Sequence, residues 1–124
     1  MKKIRLRIAG ADQKNPPLQI EVADSFGTRL RGLMGRKSLA DGQGLLIAPC
    51  SSIHMCFMQF AIDAVYINRD YEILKIVSGL RPWIGLSWCP SAWAVIELKN
   101  GEAKKCGLTM GKKVINPNLD LWEN

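Results

Sequence analysis

Ile4, Leu6 and Ile8 alternate with Arg5 and Arg7, and Leu18, Ile20 and Val22 alternate with Gln19 and Glu21. A period of two sends successive side chains to opposite faces of an extended chain, so both segments are predicted as half-buried strands. Asn15-Pro16-Pro17 supplies the turn between them. Asp24 or Ser25 can then cap a short helix that carries Leu30, Leu33 and Met34, before Gly35 releases the chain into the polar segment 36–44. Segments 45–48, 53–58, 64–68 and 72–78 read as short strands separated by Pro, Ser, Asp and Asn, with a hairpin turn at Asn68-Arg69-Asp70. Segment 79–91 holds Pro82, Pro90 and two glycines, which predicts a long loop. A strand over 92–99 follows, then a turn at Asn100-Gly101. One helical turn over 102–106 stops at Gly107, and a last strand covers 113–115.

Seven or eight short strands with one or two short helices predict a mainly β fold, a compact small barrel or sandwich. A doubly wound fold would need helices between successive strands. A chain of 124 residues, 48% of them apolar, can fill one hydrophobic core. We therefore expect a single domain over 1–116 with a loosely held tail over 117–124. No apolar run reaches the roughly 18 residues of a membrane span; the richest, 45–67, is interrupted by Pro49, Ser51, His54, Gln59 and Asp63. The first residues alternate and do not form an unbroken apolar leader, so a cytoplasmic location is expected. There the four cysteines read as free thiols. The net charge of +6 is scattered along the chain, which predicts weak or no general nucleic-acid binding.

Three blocks carry a resemblance. The first is Thr28-Arg29-Leu30-Arg31-Gly32-Leu33-Met34-Gly35-Arg36, followed by Leu39 and Gly44-Leu45-Leu46. The second is Cys50-Ser51-Ser52-Ile53-His54 with Phe57-Met58, Ile62-Asp63-Ala64-Val65-Tyr66-Ile67 and Leu80-Arg81-Pro82-Trp83. The third is Val95-Ile96-Glu97-Leu98 with Gly101, Gly107-Leu108 and Gly111. Together they resemble domain-of-unknown-function family 192, in its branch with Cys-x-Ser-Ile-His and Ile-Asp motifs. Here Met55, Gln59 and Ala61 stand where that branch has threonine, a basic residue and proline. The resemblance implies a compact β-rich fold and brings no reaction, substrate or cofactor with it.

The candidate ligand-binding residues are His54, Cys50, Asp63, Arg36, Arg81 and Trp83. As part of a strand over 53–58, His54 would lie in an interior buried on both sides. A turn at 59–62 would set Asp63 beside Met58, too far along the strand for a dyad with His54. Asp63 then fastens its turn through backbone N–H groups. Arg31 and Arg36 flank Gly32-Leu33-Met34-Gly35 and could clamp an anion, or pair with Glu97, a charge set among Val95, Ile96 and Leu98. Trp83, Trp88 and Trp93, with Arg81, concentrate aromatic surface along 81–93. His54, Cys56, Cys50 and Met58 are spaced for a soft metal, yet the pattern is not a usual zinc spacing, and neither metal nor cofactor is expected. No phosphate-loop, dinucleotide, zinc-protease or serine-hydrolase motif occurs. The leading reading is a small non-catalytic module that binds a small molecule or protein segment near His54, Asp63 and the 81–93 loop. An enzyme would use His54 as general base or Cys50 as nucleophile. A nucleic-acid-binding module would rest on charge and aromatics alone.

Overall fold

The computed structural model describes residues 2–8 and 17–115. The expected 117–124 tail and most of the Asn15–Pro17 turn lie outside them. Nine strands and two short helices occur among the described residues. They are β1 (Lys2–Ile8), β2 (Leu18–Ala23), α1 (Phe26–Arg31), β3 (Gln43–Ile47), β4 (Ser52–His54), β5 (Ile62–Ile67), β6 (Ile73–Leu80), β7 (Leu86–Trp88), β8 (Ala94–Lys99), α2 (Glu102–Lys105) and β9 (Val114–Ile115). Seven strands form one curled sheet in the order β6-β5-β8-β3-β2-β1-β9, and β4 and β7 make a separate two-stranded ribbon. The β2–β3 pair is parallel, reached by a crossover through α1, and the other pairs are antiparallel. No helix among the described residues is long and apolar enough to cross a membrane.

Alternation along the central strands divides the interior into two layers. Val65, Ile67, Ile96, Leu98, Leu46, Ile20 and Leu6 face one cluster, closed by Ala103, Leu108 and Val114. Ala64, Tyr66, Val95, Leu45 and Ile47 face the other, covered by Leu33, Leu39, Ile53, Met55 and Met58. With apolar layers on both faces, β5 is buried at every position. Glu97 lies opposite Leu45 and Ala64 in the sheet, and so belongs to the second layer.

The extended stretch expected over 53–58 ends at His54, which is exposed and not in the core. Beyond it the chain is held by Met55, whose N–H donates to the Gly85 carbonyl at 2.9 Å and whose carbonyl accepts from Met58 and Trp83. Phe57 then adopts a left-handed φ of 64°. The long loop expected at 79–91 contains β7, paired with β4 in the register Ser52↔Trp88, Ile53↔Ser87 and His54↔Leu86. The flanking bonds Met55 N–H to Gly85 O and Cys89 N–H to Ser51 O make Ile53↔Ser87 the mutually bonded pair, since such pairs alternate. Those two side chains point inward, while Ser52, His54, Leu86 and Trp88 point outward.

Asp63 joins the layers of the fold. It is fully buried, and its carboxylate accepts from the N–H groups of Gly79 at 3.1 Å, Gly101 at 3.0 Å and Ala103 at 3.0 Å. The last two are at the start of α2, whose N-cap is Gly101 and brings no side chain of its own. Asp63 therefore caps that helix from the neighbouring strand.

Candidate functional site

The site is built from the end of α1 inward. Ser25 caps the helix: its hydroxyl accepts from the Thr28 N–H at 3.2 Å, and its N–H donates to the Thr28 hydroxyl at 3.2 Å. After six helical residues Gly32 stops the helix with φ 49° and ψ −129°, its N–H donating to the Thr28 carbonyl at 2.9 Å. That conformation favours glycine, and it drives Leu33 into the second layer, where it is 1% exposed. A Cβ at Gly32 would lie 3.7 Å from both Glu97 Oε1 and Ile47 Cδ1. Gly32 thus leaves open the space above Glu97.

That space is a cavity of about 130 Å³, walled by the apolar side chains of Leu33, Met34, Ile47, Ile53 and Met58, with Arg29, Arg31, Cys50, Ser52, His54 and Glu97 as its polar lining. Glu97 is 4% exposed, and its Oε1 has no hydrogen-bond partner. Burial raises its carboxyl from 4.5 to about 7, opposed by the more distant positive charge of Arg36. The Arg29 guanidinium is held by a bond of 3.2 Å to the Pro49 carbonyl, and its buried Nε–H has no partner. No Arg, Lys or His nitrogen among the described residues comes within 4.0 Å of the Glu97 carboxylate. An unpaired acid and an unpaired donor therefore line one cavity without meeting.

Cys50 and His54 in the lining are each already hydrogen-bonded. The half-buried Cys50 thiol is pushed up mainly by burial and secondarily by the nearby Glu97, and it donates to the Ser52 carbonyl at 3.0 Å. His54 Nδ1 accepts from the Cys56 N–H at 3.3 Å. Cys50 and His54 share the cavity but form no hydrogen bond with each other. Beneath the ribbon, the Tyr66 hydroxyl is paired with the Ser87 hydroxyl at 2.7 Å. Cys50 also borders an open cleft of about 600 Å³ with Asn68, Arg69, Asp70 and Trp93. The cleft is larger, but among the described residues its lining holds none of the unpaired buried polar atoms.

Of the six candidates named from sequence, the structure brings Cys50 and His54 together and separates the rest. Arg36 pairs with Glu21 at 3.2 Å, not with Glu97, and lines a groove of about 290 Å³ beside β1 and β2. Asp63 serves backbone N–H groups inside the fold. Arg81 and Trp83 are exposed on the turn before β7, where the Trp83 ring meets Phe57 edge-on at 5.3 Å between centroids. Sequence reasoning missed Arg29 and took Glu97 for an ion-pair partner. The available signal was a single charge within the apolar run Val95 to Leu98. Among the described residues no three His, Cys, Asp or Glu side chains gather as metal ligands.

The family model DUF192, described as "Uncharacterized ACR", matches residues 7–115. The chain belongs to this family. Two solved structures share the DUF192 chain's fold. One, described as "a putative transcription regulator" from Sinorhizobium meliloti 1021, superposes with a TM-score of 0.83 at 24% identity, over 93% of this chain and 94% of that one. The second, a protein of unknown function from Novosphingobium aromaticivorans DSM 12444, gives 0.78 at 21% identity, over 91% and 84%. At these identities the likeness is one of fold. A comparison with curated proteins finds no match to this DUF192 chain.

Proposed function

We propose that this protein is a non-catalytic binding module for a small polar molecule, seated in the cavity over Glu97 between the end of α1 and the β4–β7 ribbon. The observation that carries this reading is a carboxyl only 4% exposed, with an unpartnered oxygen, on a residue that lines a cavity of about 130 Å³. A buried polar group without a partner costs about 1–3 kcal/mol. A ligand that satisfies it recovers that cost. The volume matches a group of about six heavy atoms, since a cavity of about 150 Å³ holds a benzene ring.

Binding is favoured over catalysis by the state of the two side chains an enzyme would use. A nucleophilic cysteine needs a lowered thiol pKa and an adjacent base, whereas Cys50 is raised and bonded to a carbonyl. The pocket reading moves the centre of the expected site from Asp63 and the 81–93 loop to Glu97 and Arg29, and keeps Cys50 and His54 at its rim. Four free thiols suit a reducing compartment, and we place the protein in the cytoplasm.

The test is a ¹H–¹⁵N NMR titration of the full chain with a panel of small polar compounds. Shifts centred on Gly32, Leu33, Cys50 and Ser52 are expected for at least one of them. A panel that moves only the amides around Trp83 and Trp88, or none at all, overturns the reading.

A further inference from the structure

Seven large hydrophobic side chains stand exposed among the described residues, and five of them, Phe57, Trp83, Ile84, Leu86 and Trp88, belong to the β4–β7 ribbon and the turns at its end. Together they leave on the order of 500 Å² of apolar surface in one place, a size at which such patches are often functional. The turns that present them are tightly held. Trp83 N–H donates to the Met55 carbonyl at 2.8 Å and Gly85 N–H to the Arg81 carbonyl at 3.0 Å. A Cβ at Gly85 would stand 2.7 Å from both the Arg81 carbonyl oxygen and Met55 Cγ. Phe57 and Trp83 hold left-handed φ angles of 64° and 70°, which bulky residues rarely adopt. Backbone strain of this kind collects at binding surfaces and clamps; here it sets two exposed rings against each other.

Positive charge, dispersed in the sequence, is unbalanced on the same side. Segments 25–40, 42–62 and 73–96, which carry α1 and both strands of the ribbon, contain Arg29, Arg31, Arg36, Lys37, Lys75 and Arg81 and no Asp or Glu. These six cations equal the net charge of +6, so the rest of the chain is balanced. The last turn of α1 meets the ribbon: Arg31 and His54 line the same cavity, and Gly35 N–H donates to the Phe57 carbonyl at 3.3 Å. Arg29 is bonded to Pro49 and Arg36 to Glu21, whereas Arg31, Lys37 and Arg81 are exposed and outside every ion pair of the described residues. Lys75 lies 5.9 Å over the Trp88 ring and donates to the Trp88 carbonyl at 2.8 Å. Of the acids that other elements bring near, Glu21 is taken by Arg36, Asp63 and Glu97 are buried, and Asp24 stands at the other end of α1.

We infer that this face lies on an anionic lipid bilayer, with the five apolar side chains entering the headgroup boundary and Arg31, Lys37 and Arg81 against acidic headgroups. The protein rests on the membrane without spanning it. Tryptophan and phenylalanine beside cations are the composition of interfacial anchors, and an acidic leaflet attracts such cations. A bilayer conforms to side chains that project, and none of the three cavities described above is lined by the five. A protein strand added to β7 is disfavoured, because Lys75 occupies the Trp88 carbonyl on the open edge.

The experiment is co-sedimentation of the full chain with vesicles of phosphatidylcholine containing about 30% phosphatidylglycerol, against vesicles of phosphatidylcholine alone. Half of the protein is expected on the acidic vesicles at about 0.1 mM lipid, the range of a single acyl anchor. Affinity for the neutral vesicles should be at least about tenfold lower, and binding should weaken between about 50 and about 500 mM salt. Ile84→Asp should weaken binding at least about tenfold and Arg81→Glu at least about fivefold. Lys104→Glu makes the same change of charge on α2, across the sheet, and should cost less than about twofold. All three positions are exposed, and circular dichroism checks that the variants fold. No binding at about 2 mM acidic lipid overturns the inference. Equal losses from Arg81→Glu and Lys104→Glu also overturn it, since the attraction would then be one of net charge alone. Absence of lipid binding, together with amide shifts over 83–88 from a peptide of alternating leucine and aspartate, would assign the face to a protein partner instead. None of these outcomes bears on the cavity over Glu97.

Discussion

Glu97→Gln replaces the buried acid with a side chain of the same shape that does not titrate, and its effect on stability should depend on pH. Below pH 4.5 the carboxyl is protonated in both folded and unfolded chains and makes no difference. Between 4.5 and about 7 the unfolded chain gives up this proton while the folded chain keeps it. Unfolding then releases a proton, and stability falls as pH rises, by about 1.4 kcal/mol per pH unit. The fall is complete above about pH 7 and totals about 3 kcal/mol. That is a large share of the 5–15 kcal/mol typical of a domain. Urea unfolding followed by tryptophan fluorescence, from about pH 4.5 to about pH 8, measures it in parent and variant. Other carboxyls cancel in the difference. The Gln variant should gain on the parent by about 3 kcal/mol across this range. A difference that stays flat would mean that Glu97 titrates alike in both states, and the argument from a buried, unpartnered acid would fail.

Gly32→Ala should destabilise by about 1–3 kcal/mol through its backbone conformation, since the added methyl meets only ordinary contacts; a melting temperature equal to the parent's would refute this. Asp63→Ala strips the partner from three N–H groups and should cost about 3 kcal/mol or more, read from the same urea curves; a loss below 1 kcal/mol would show that water replaces the carboxylate. With a thiol reagent near neutral pH, exposed Cys56 should react first and Cys50 more slowly, because burial keeps its thiol protonated; equal rates would contradict this. In hydrogen exchange, the Ser87 amide should outlast those of Leu86 and Trp88, which face away from β4; the reverse order would mean that the ribbon has another register.

The alternation in β1 and β2, the Ser25 cap and the turn at Asn68 to Asp70 were legible because each is a local signal, complete within a few residues. The ribbon was not. Leu86-Ser87-Trp88 is only three residues long and lies between Pro82 and Pro90, and its pairing with Ser52-Ile53-His54 is a contact across more than thirty positions of chain. His54 was misplaced for the same reason. The apolar residues up to Met58 suggested a continuous strand, and only the demands of Gly85 and Trp83 on the Met55 backbone end it after His54. At the site, a charge inside the apolar run of β8 marked Glu97, but its partner was misjudged. Arg36 is drawn to Glu21 on β2, and the arginines that line the cavity with Glu97 are Arg29 and Arg31, both on α1. Spacing along the chain shows that arginines are near an acid; it does not show which of them the fold turns inward.

The most direct measurement is a set of crystal structures of the protein soaked in turn with the small polar compounds of the NMR panel. The account predicts that at least one compound gives density between Gly32, Cys50 and Glu97, within hydrogen-bond distance of the Glu97 carboxyl. Compounds seated only outside that cavity, with the Glu97 carboxyl satisfied by water or by Arg29, would contradict it.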